Sequence, residues 1–337
     1  MKLNVFFLLF FLLFSSCAKQ DEKCQIAGKT MGTTYHITYY GKEEPHTVKR
    51  AVDSLMLALN ADVSTYIPTS TIALFNANLS DTVIISKEKY YFWDNFAKAE
   101  KIYKLTNGYF DPTVMPLVNY WGFGYKGHRP VEQVDSLVVD SLLQFVGFDK
   151  LVRKKDTIFR LAPNVQLDFS ALAKGYGVDL VASWLEEKSI GRYFVEIGGE
   201  NKAKGRKADG SIWAVGISIP KEGSSLDAFN TIVELDDEAM ATSGNYRNFY
   251  EVKGQKFSHT INPMTGFSER NTILSASVLA ENCATADALA TGMMAMGYEK
   301  AVKLQGELDD VEFILKLGLP DGRIETKFSN SKQNIRD

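Results

Sequence analysis

LDFSALAKGYGVD, residues Leu167–Asp179, joins two kinds of periodicity. Gln166, Leu167 and Phe169 read as the end of a buried strand, and Asp168 alternates out of that apolar set. Ser170 is an N-cap type of residue, and from Ala171 to Glu186 apolar side chains recur at helical spacing. The pattern puts a carboxylate where a strand hands over to a helix, with Lys174 close to the helix start. Gly175 and Gly177 carry no Cβ, so another backbone or a ligand can approach that turn closely. A helix N-terminus offers unpaired N–H groups and partial positive charge, which suits phosphate. Read alone, the stretch is also compatible with an ordinary amphipathic helix on which Asp168 and Lys174 form a surface pair.

Outward from this unit, helices and strands succeed one another without a repeat or an internal linker. On the N-terminal side, Gln25–Tyr40 alternates as a β-rich run, Pro45–Asn60 and Tyr90–Thr106 have helical spacing, and Ile72–Asn76 reads as a helical turn. Phe110–Gly127 is rich in Pro, Gly and aromatic residues and reads as a loop walling something flat or plugging the core. Leu137–Phe145 reads as a helix, and Leu151–Arg153 with Thr157–Leu161 as a hairpin. On the C-terminal side, strands are expected at Tyr193–Ile197, Trp213–Ile219, Thr231–Leu235 and Ser275–Ala280. Phe249–Val252 and Lys256–Thr260 read as a second hairpin, Thr285–Gly297 as an apolar helix and Glu312–Lys316 as a closing strand. The fold class is α+β, with mixed sheets and helices packed on them, and residues 25–337 form one domain.

Composition bounds the function. At 337 residues and 45% hydrophobic, the chain can bury an ample core. Its net charge is −3 and it carries no basic stripe, which argues against nucleic acid as a partner. The histidines His36, His46, His128 and His259 are scattered without metal-ligand spacing, so a zinc or iron site is not expected. Lys2 followed by the apolar run Val5–Phe14 is too short to span a bilayer but fits a signal-peptide core. Ser15, Ser16 and Cys17 then resemble a bacterial lipoprotein processing site, with residues 1–16 removed and Cys17 lipidated; a plain secreted protein cleaved nearby is the alternative. Residues 17–24 would be the tether. Cys24 and Cys283 read as incidental.

Asp287 and Thr291 lie four residues apart on the predicted helix Thr285–Gly297, so their oxygens share one face. A carboxylate and a hydroxyl are hard ligands suited to Mg²⁺. The bland alternative is a first-turn aspartate favoured by the helix dipole and a threonine bonded back to its own helix. Further stretches decide between these: TMGTTY at Thr30–Tyr35, YFDPTVMPL at Tyr109–Leu117, WGFG at Trp121–Gly124 and VEIGG at Val195–Gly199. They continue with ATSGNYRNFY at Ala241–Tyr250, FSHTINPMTG at Phe257–Gly266 and TADALATGMMAMG at Thr285–Gly297. With LDFSALAKGYGVD, and in this order, these motifs resemble the FAD:protein FMN transferase family, also called ApbE.

The resemblance implies a flavin transferase fold and a Mg²⁺-dependent enzyme. It would move the FMN half of FAD onto a threonine or serine hydroxyl of another protein and release AMP. It implies Mg²⁺ ligands at Asp287, Thr291 and the main-chain oxygen of Ala171. It further implies flavin contacts at Met31, Tyr66, Tyr109, Phe110, Asp111, Asp168, Lys174 and Ile261. His259 is the general-base candidate, with Asp287 or Asp168 as rivals. Asn262 stands where the family usually has aspartate before Pro263. Acceptors would be exported subunits of membrane redox complexes, met by a lipoprotein on the periplasmic side of the inner membrane. Two other readings share these residues: a Mg²⁺-dependent FAD pyrophosphatase, with water replacing the hydroxyl, and a flavin-binding module without turnover.

Overall fold

The computed structural model describes residues 21–125, 131, 133–220, 229–245, 249–252, 255–269, 272–329 and 335–336. The signal segment, Cys17 and His128 lie outside them. In chain order the elements are β1 (Glu22–Thr30), β2 (Thr33–Gly41), α1 (Pro45–Val63), α2 (Thr71–Ala77), β3 (Thr82–Ile84), α3 (Tyr90–Leu105), α4 (Met115–Tyr120) and α5 (Ser136–Leu143). There follow β4 (Leu151–Lys154), β5 (Thr157–Arg160), α6 (Ser170–Glu187), β6 (Tyr193–Ile197), β7 (Glu200–Lys204), β8 (Trp213–Ser218) and β9 (Phe229–Leu235). The chain continues with β10 (Ala239–Gly244), β11 (Phe249–Val252), β12 (Gln255–Ser258), β13 (Ile273–Ala280), α7 (Cys283–Met296) and α8 (Tyr298–Gln305). It ends with β14 (Glu312–Gly318), β15 (Ile324–Phe328) and β16 (Ile335–Arg336).

Eight strands form the main sheet, in the order β1-β2-β6-β7-β10-β13-β14-β15, and each neighbouring pair is antiparallel. Smaller sheets are built from β16-β9-β8, β3-β5-β4 and the β11–β12 hairpin. Successive side chains of a strand point to opposite faces, and the central strands use both. Ala239, Ala241, Val278, Ala280, Phe313 and Leu315 enter the large helix-side core with α1, α3, α6 and α7. Met240, Leu279 and Ile314, between them in sequence, enter a second core with Trp213, Val233 and Leu235 of the β8–β9 layer. Burial on both faces explains why β13 and β14 read as nearly continuous apolar runs. α7 is buried almost all round because it sits between α6 and the sheet.

The fold class stands as α+β, and several local expectations change. Residues 166–169 pair with no strand. Their backbone is held instead by Asn76, whose amide donates to the Leu167 carbonyl at 2.8 Å and accepts from Leu167 N–H at 2.7 Å. Ser170 is already helical, and the N-cap position falls on Phe169 without a side-chain bond. The run Gln25–Tyr40 is two strands, broken at Met31 (φ 50°) and Gly32 (φ 73°), where the chain turns through left-handed backbone. β1 begins at Glu22, inside the expected tether. The loop Phe110–Gly127 contains α4, and β7, β15 and β16 were not expected.

Candidate functional site

The α6–α7 contact is the foundation of the site. A Cβ on Gly175 would lie 2.3 Å from the Cys283 carbonyl oxygen, so glycine is what lets the two helices touch backbone to backbone. The close approach allowed by sequence is therefore filled by protein. Two carboxylates fasten the contact. Asp179 accepts from the Cys283 and Ala284 N–H groups, both at 2.9 Å, and so satisfies orphan donors at the start of α7. Asp287 Oδ2 accepts from Gly175 N–H at 3.0 Å. Ala171, one helical turn before Gly175, lines the cleft beside Asp287.

α7 begins at Cys283, capped by Asn282 accepting from Thr285 N–H at 3.0 Å, so Asp287 sits beyond the first turn. The dipole fades within that turn and does not account for a carboxylate only 3% exposed. Lys174 reaches toward it. Its ammonium bonds Glu200 Oε1 and lies 3.9 Å from Asp287 Oδ1. Burial pulls the lysine's affinity for its proton down, but the two carboxylates more than offset this and hold it charged. Thr291 Oγ1 lies 3.1 Å from Ser243 Oγ at the end of β10.

These groups open onto one cleft of about 420 Å³, within the usual range for small-molecule sites. Of the residues expected from sequence, Tyr66, Tyr109, Phe110, Asp111, Asp168, Ala171, Lys174, His259, Ile261, Asp287 and Thr291 all line it. They come from five separate stretches of the chain. Met31 does not line the cleft; it packs on the helix-side core from the β1–β2 turn. Phe110 is 2% exposed and belongs as much to that core as to the wall. His259 lies just past β12, half-buried, with its ring centroid 6.3 Å from that of Phe123.

Asp168 and Asp111 have local duties as well. Asp168 Oδ1 accepts from Ser170 N–H at 2.9 Å and from its hydroxyl. Burial raises the Asp168 carboxyl, with the Ser170 bonds opposing. The Leu172 and Ala173 N–H groups turn to the Phe169 carbonyl. Several donors of the α6 N-terminus are thus taken internally, and phosphate in the cleft would rely on Lys174. Asp111 Oδ1 accepts from Thr113 N–H and hydroxyl at 2.8 and 2.6 Å.

The donor set is that of a hard cation beside a phosphate. Carboxylates, hydroxyls, Lys174 and aromatic side chains line the same cleft, and Glu200 and Asp287 lie within 4 Å of the lysine ammonium. One buried acceptor, Glu200 Oε2, has no hydrogen-bond partner among the described residues. Mg²⁺ fits this set. A family model described as the ApbE family matches residues 31–315.

The chain belongs to the ApbE family.

Among its ApbE relatives, the FAD:protein FMN transferase of Vibrio cholerae is 36% identical over 95% of each chain. That of Haemophilus influenzae is 35% identical over 97% of this chain and 95% of its own. The solved flavin transferase ApbE from Vibrio cholerae superposes with a TM-score of 0.81 at 34% identity, covering 92% of this chain and 98% of that one. The apo flavinyl transferase ApbE of Pseudomonas stutzeri gives 0.81 at 30% identity, covering 92% and 95%. Within this ApbE frame Asn262 has a structural account. Its Oδ1 accepts from Met264 N–H at 2.8 Å, and its amide donates to Glu269 at 2.9 Å. An aspartate there would face Glu269 with like charge and no donor. The residue that sequence reasoning passed over is Glu200. It follows VEIGG directly, but in β7 it looks like one polar residue among ENKAK and has no periodic signal of its own.

Proposed function

We propose that the protein transfers the FMN half of FAD to a threonine or serine hydroxyl of a target protein, with AMP as the leaving group. The observation that carries this is the meeting of Lys174, Asp287 and Thr291 with Tyr66, Tyr109 and Phe110 in one cleft. The charged groups suit a diphosphate and the aromatic surface a flat ring system. Asp287, Thr291 and the Ala171 carbonyl would hold Mg²⁺. When bound, the ion would neutralise charge on the diphosphate and on departing AMP.

The chain's own residues supply the rest. Lys174, held charged between its carboxylates, grips diphosphate oxygens. His259 takes the proton from the acceptor hydroxyl as its oxygen attacks the FMN phosphorus. The phosphorus–oxygen bond to the AMP side breaks, and AMP carries away the bridging oxygen. Catalysis of this kind rests on positioning, which the backbone-tight α6–α7 contact serves. We further infer that Cys17 is lipidated and that the enzyme works on the periplasmic side of the inner membrane on exported redox subunits. The signal-like run and the small residues before Cys17 support this. Among the described residues no helix is long and apolar enough to cross a membrane.

The test is to incubate the protein with FAD, Mg²⁺ and a candidate acceptor and to weigh the acceptor by mass spectrometry. Gain of one FMN on a single Thr or Ser, with AMP formed in equal amount, is the expected result. Free FMN and AMP with an unmodified acceptor would turn the reading to a pyrophosphatase, and no product at all to a binding module.

A further inference from the structure

Glu200 stands at the β6–β7 turn, is 2% exposed and lines the cleft. One of its oxygens bonds the Lys174 ammonium; the other, Oε2, is buried and without a hydrogen-bond partner among the described residues. A buried acceptor left unsatisfied is costly, and more so when charged, so such an oxygen calls for a ligand. An ionised carboxylate only accepts. A phosphate oxygen also only accepts, so the diphosphate cannot satisfy Oε2 directly. A cation can, and so can a water that a cation carries. The neighbouring charges agree. Asp287 and Glu200 converge on Lys174, two carboxyl groups to one ammonium.

We propose that Glu200 is a further acidic member of the cation site, accepting with Oε2 from a water on the metal while Oε1 fixes Lys174 for the phosphate. This rests on the metal and FAD reading above and adds a residue to it. Mg²⁺ keeps several waters, and residues that orient metal ligands from behind typically change affinity about 10–100-fold when altered. Glu200 is a positioning residue in this scheme, since it reaches the metal and the phosphate through a water and a lysine.

Mn²⁺ binding in the presence of FAD, followed by the loss of its free-ion paramagnetic resonance signal, tests the proposal without turnover. Wild-type protein, Glu200→Gln, Glu200→Asp and Asp287→Asn are compared, and FAD affinity is measured separately in chelator. Expected is Mn²⁺ binding about tenfold or more weaker in Glu200→Gln, with partial recovery in Glu200→Asp, where the charge remains. Unchanged Mn²⁺ affinity in Glu200→Gln, with altered FAD affinity in chelator, would reduce Glu200 to a brace for Lys174 and overturn the proposal. Should Glu200→Gln not fold, Mn²⁺ affinity in Glu200→Asp equal to wild type overturns it equally. Full Mn²⁺ affinity in Asp287→Asn would instead defeat the metal site itself, so the two failures are distinguishable.

Discussion

Asp287 serves structure and chemistry with different oxygens, and the two roles separate by substitution. Asp287→Ala removes the acceptor of Gly175 N–H as well as the charge, so both stability and function should fall. Asp287→Asn keeps an acceptor and discards the charge. It should melt close to wild type, yet lose transfer and the Mg²⁺ dependence of FAD affinity. Calorimetric melting beside FAD titrations with and without Mg²⁺ checks this, and full transfer in either variant would reject the metal site. Asp111 offers a pH test. Burial pushes its carboxyl from 3.8 up to about 6, with the Thr113 bonds opposing. Between those values the folded chain binds the proton that the unfolded chain has released. The stabilisation is therefore complete below about pH 4 and is lost as pH rises through 6, amounting to about 3 kcal/mol. Asp111→Asn has no such proton. Its stability relative to wild type should rise by up to about 3 kcal/mol between pH 4 and pH 7 in urea titrations. A difference that does not vary with pH would refute the assignment.

The two glycines of α6 look alike in sequence and differ in packing. A Cβ on Gly175 would meet the Cys283 and Ala284 backbone at 2.3–2.9 Å, whereas on Gly177 it would meet flexible side chains at 3.4–3.5 Å. Gly175→Ala should therefore cost about 1–3 kcal/mol or more and pry Asp287 off its partner. Gly177→Ala should be neutral or stabilise by up to about 1 kcal/mol, since alanine is the better helix former. Equal effects in chemical denaturation would contradict the close contact. This difference also marks what the sequence can convey. Elements with a strong period, such as α1, α3, α7 and the strand Tyr193–Ile197, were legible because one period decides them. The segment before α6 was misread as a strand end because its hydrogen bonds go to Asn76 and Pro112, far away in the chain. Most of the candidate site was legible through its motifs. Glu200 was not, because its meaning lies in Lys174 and Asp287, which only the fold brings to it.

At the scale of the molecule, the cleft gathers residues from the N-terminal half, from α6, and from the segment between β10 and α7. A ligand seated there bridges parts that otherwise meet only through the sheet and helices. FAD with Mg²⁺ should therefore raise the melting temperature cooperatively, by about 2.7 kcal/mol of stability at a hundredfold excess over its dissociation constant. FAD in chelator should give a much smaller rise; equal rises would argue against a metal-dependent diphosphate site. The anchor is tested on the full chain. Cys17→Ala should leave the melting curve unchanged and move the protein from the membrane fraction to the soluble one, or halt its processing. Unaltered fractionation and processing would refute lipidation.

The order of strands in the main sheet is also an order in time. Reading β1-β2-β6-β7-β10-β13-β14-β15 from one edge to the other, every strand docks on one synthesised before it. As the chain emerges end-first, from a ribosome or an export pore, the sheet can grow at a single advancing edge. Asp287 and Thr291 arrive on α7, between β13 and β14, when most of that sheet exists. A nascent chain can thus hold a nearly finished scaffold while having no means to grip a metal-bound diphosphate, and cofactor capture is deferred to the closing stage of folding.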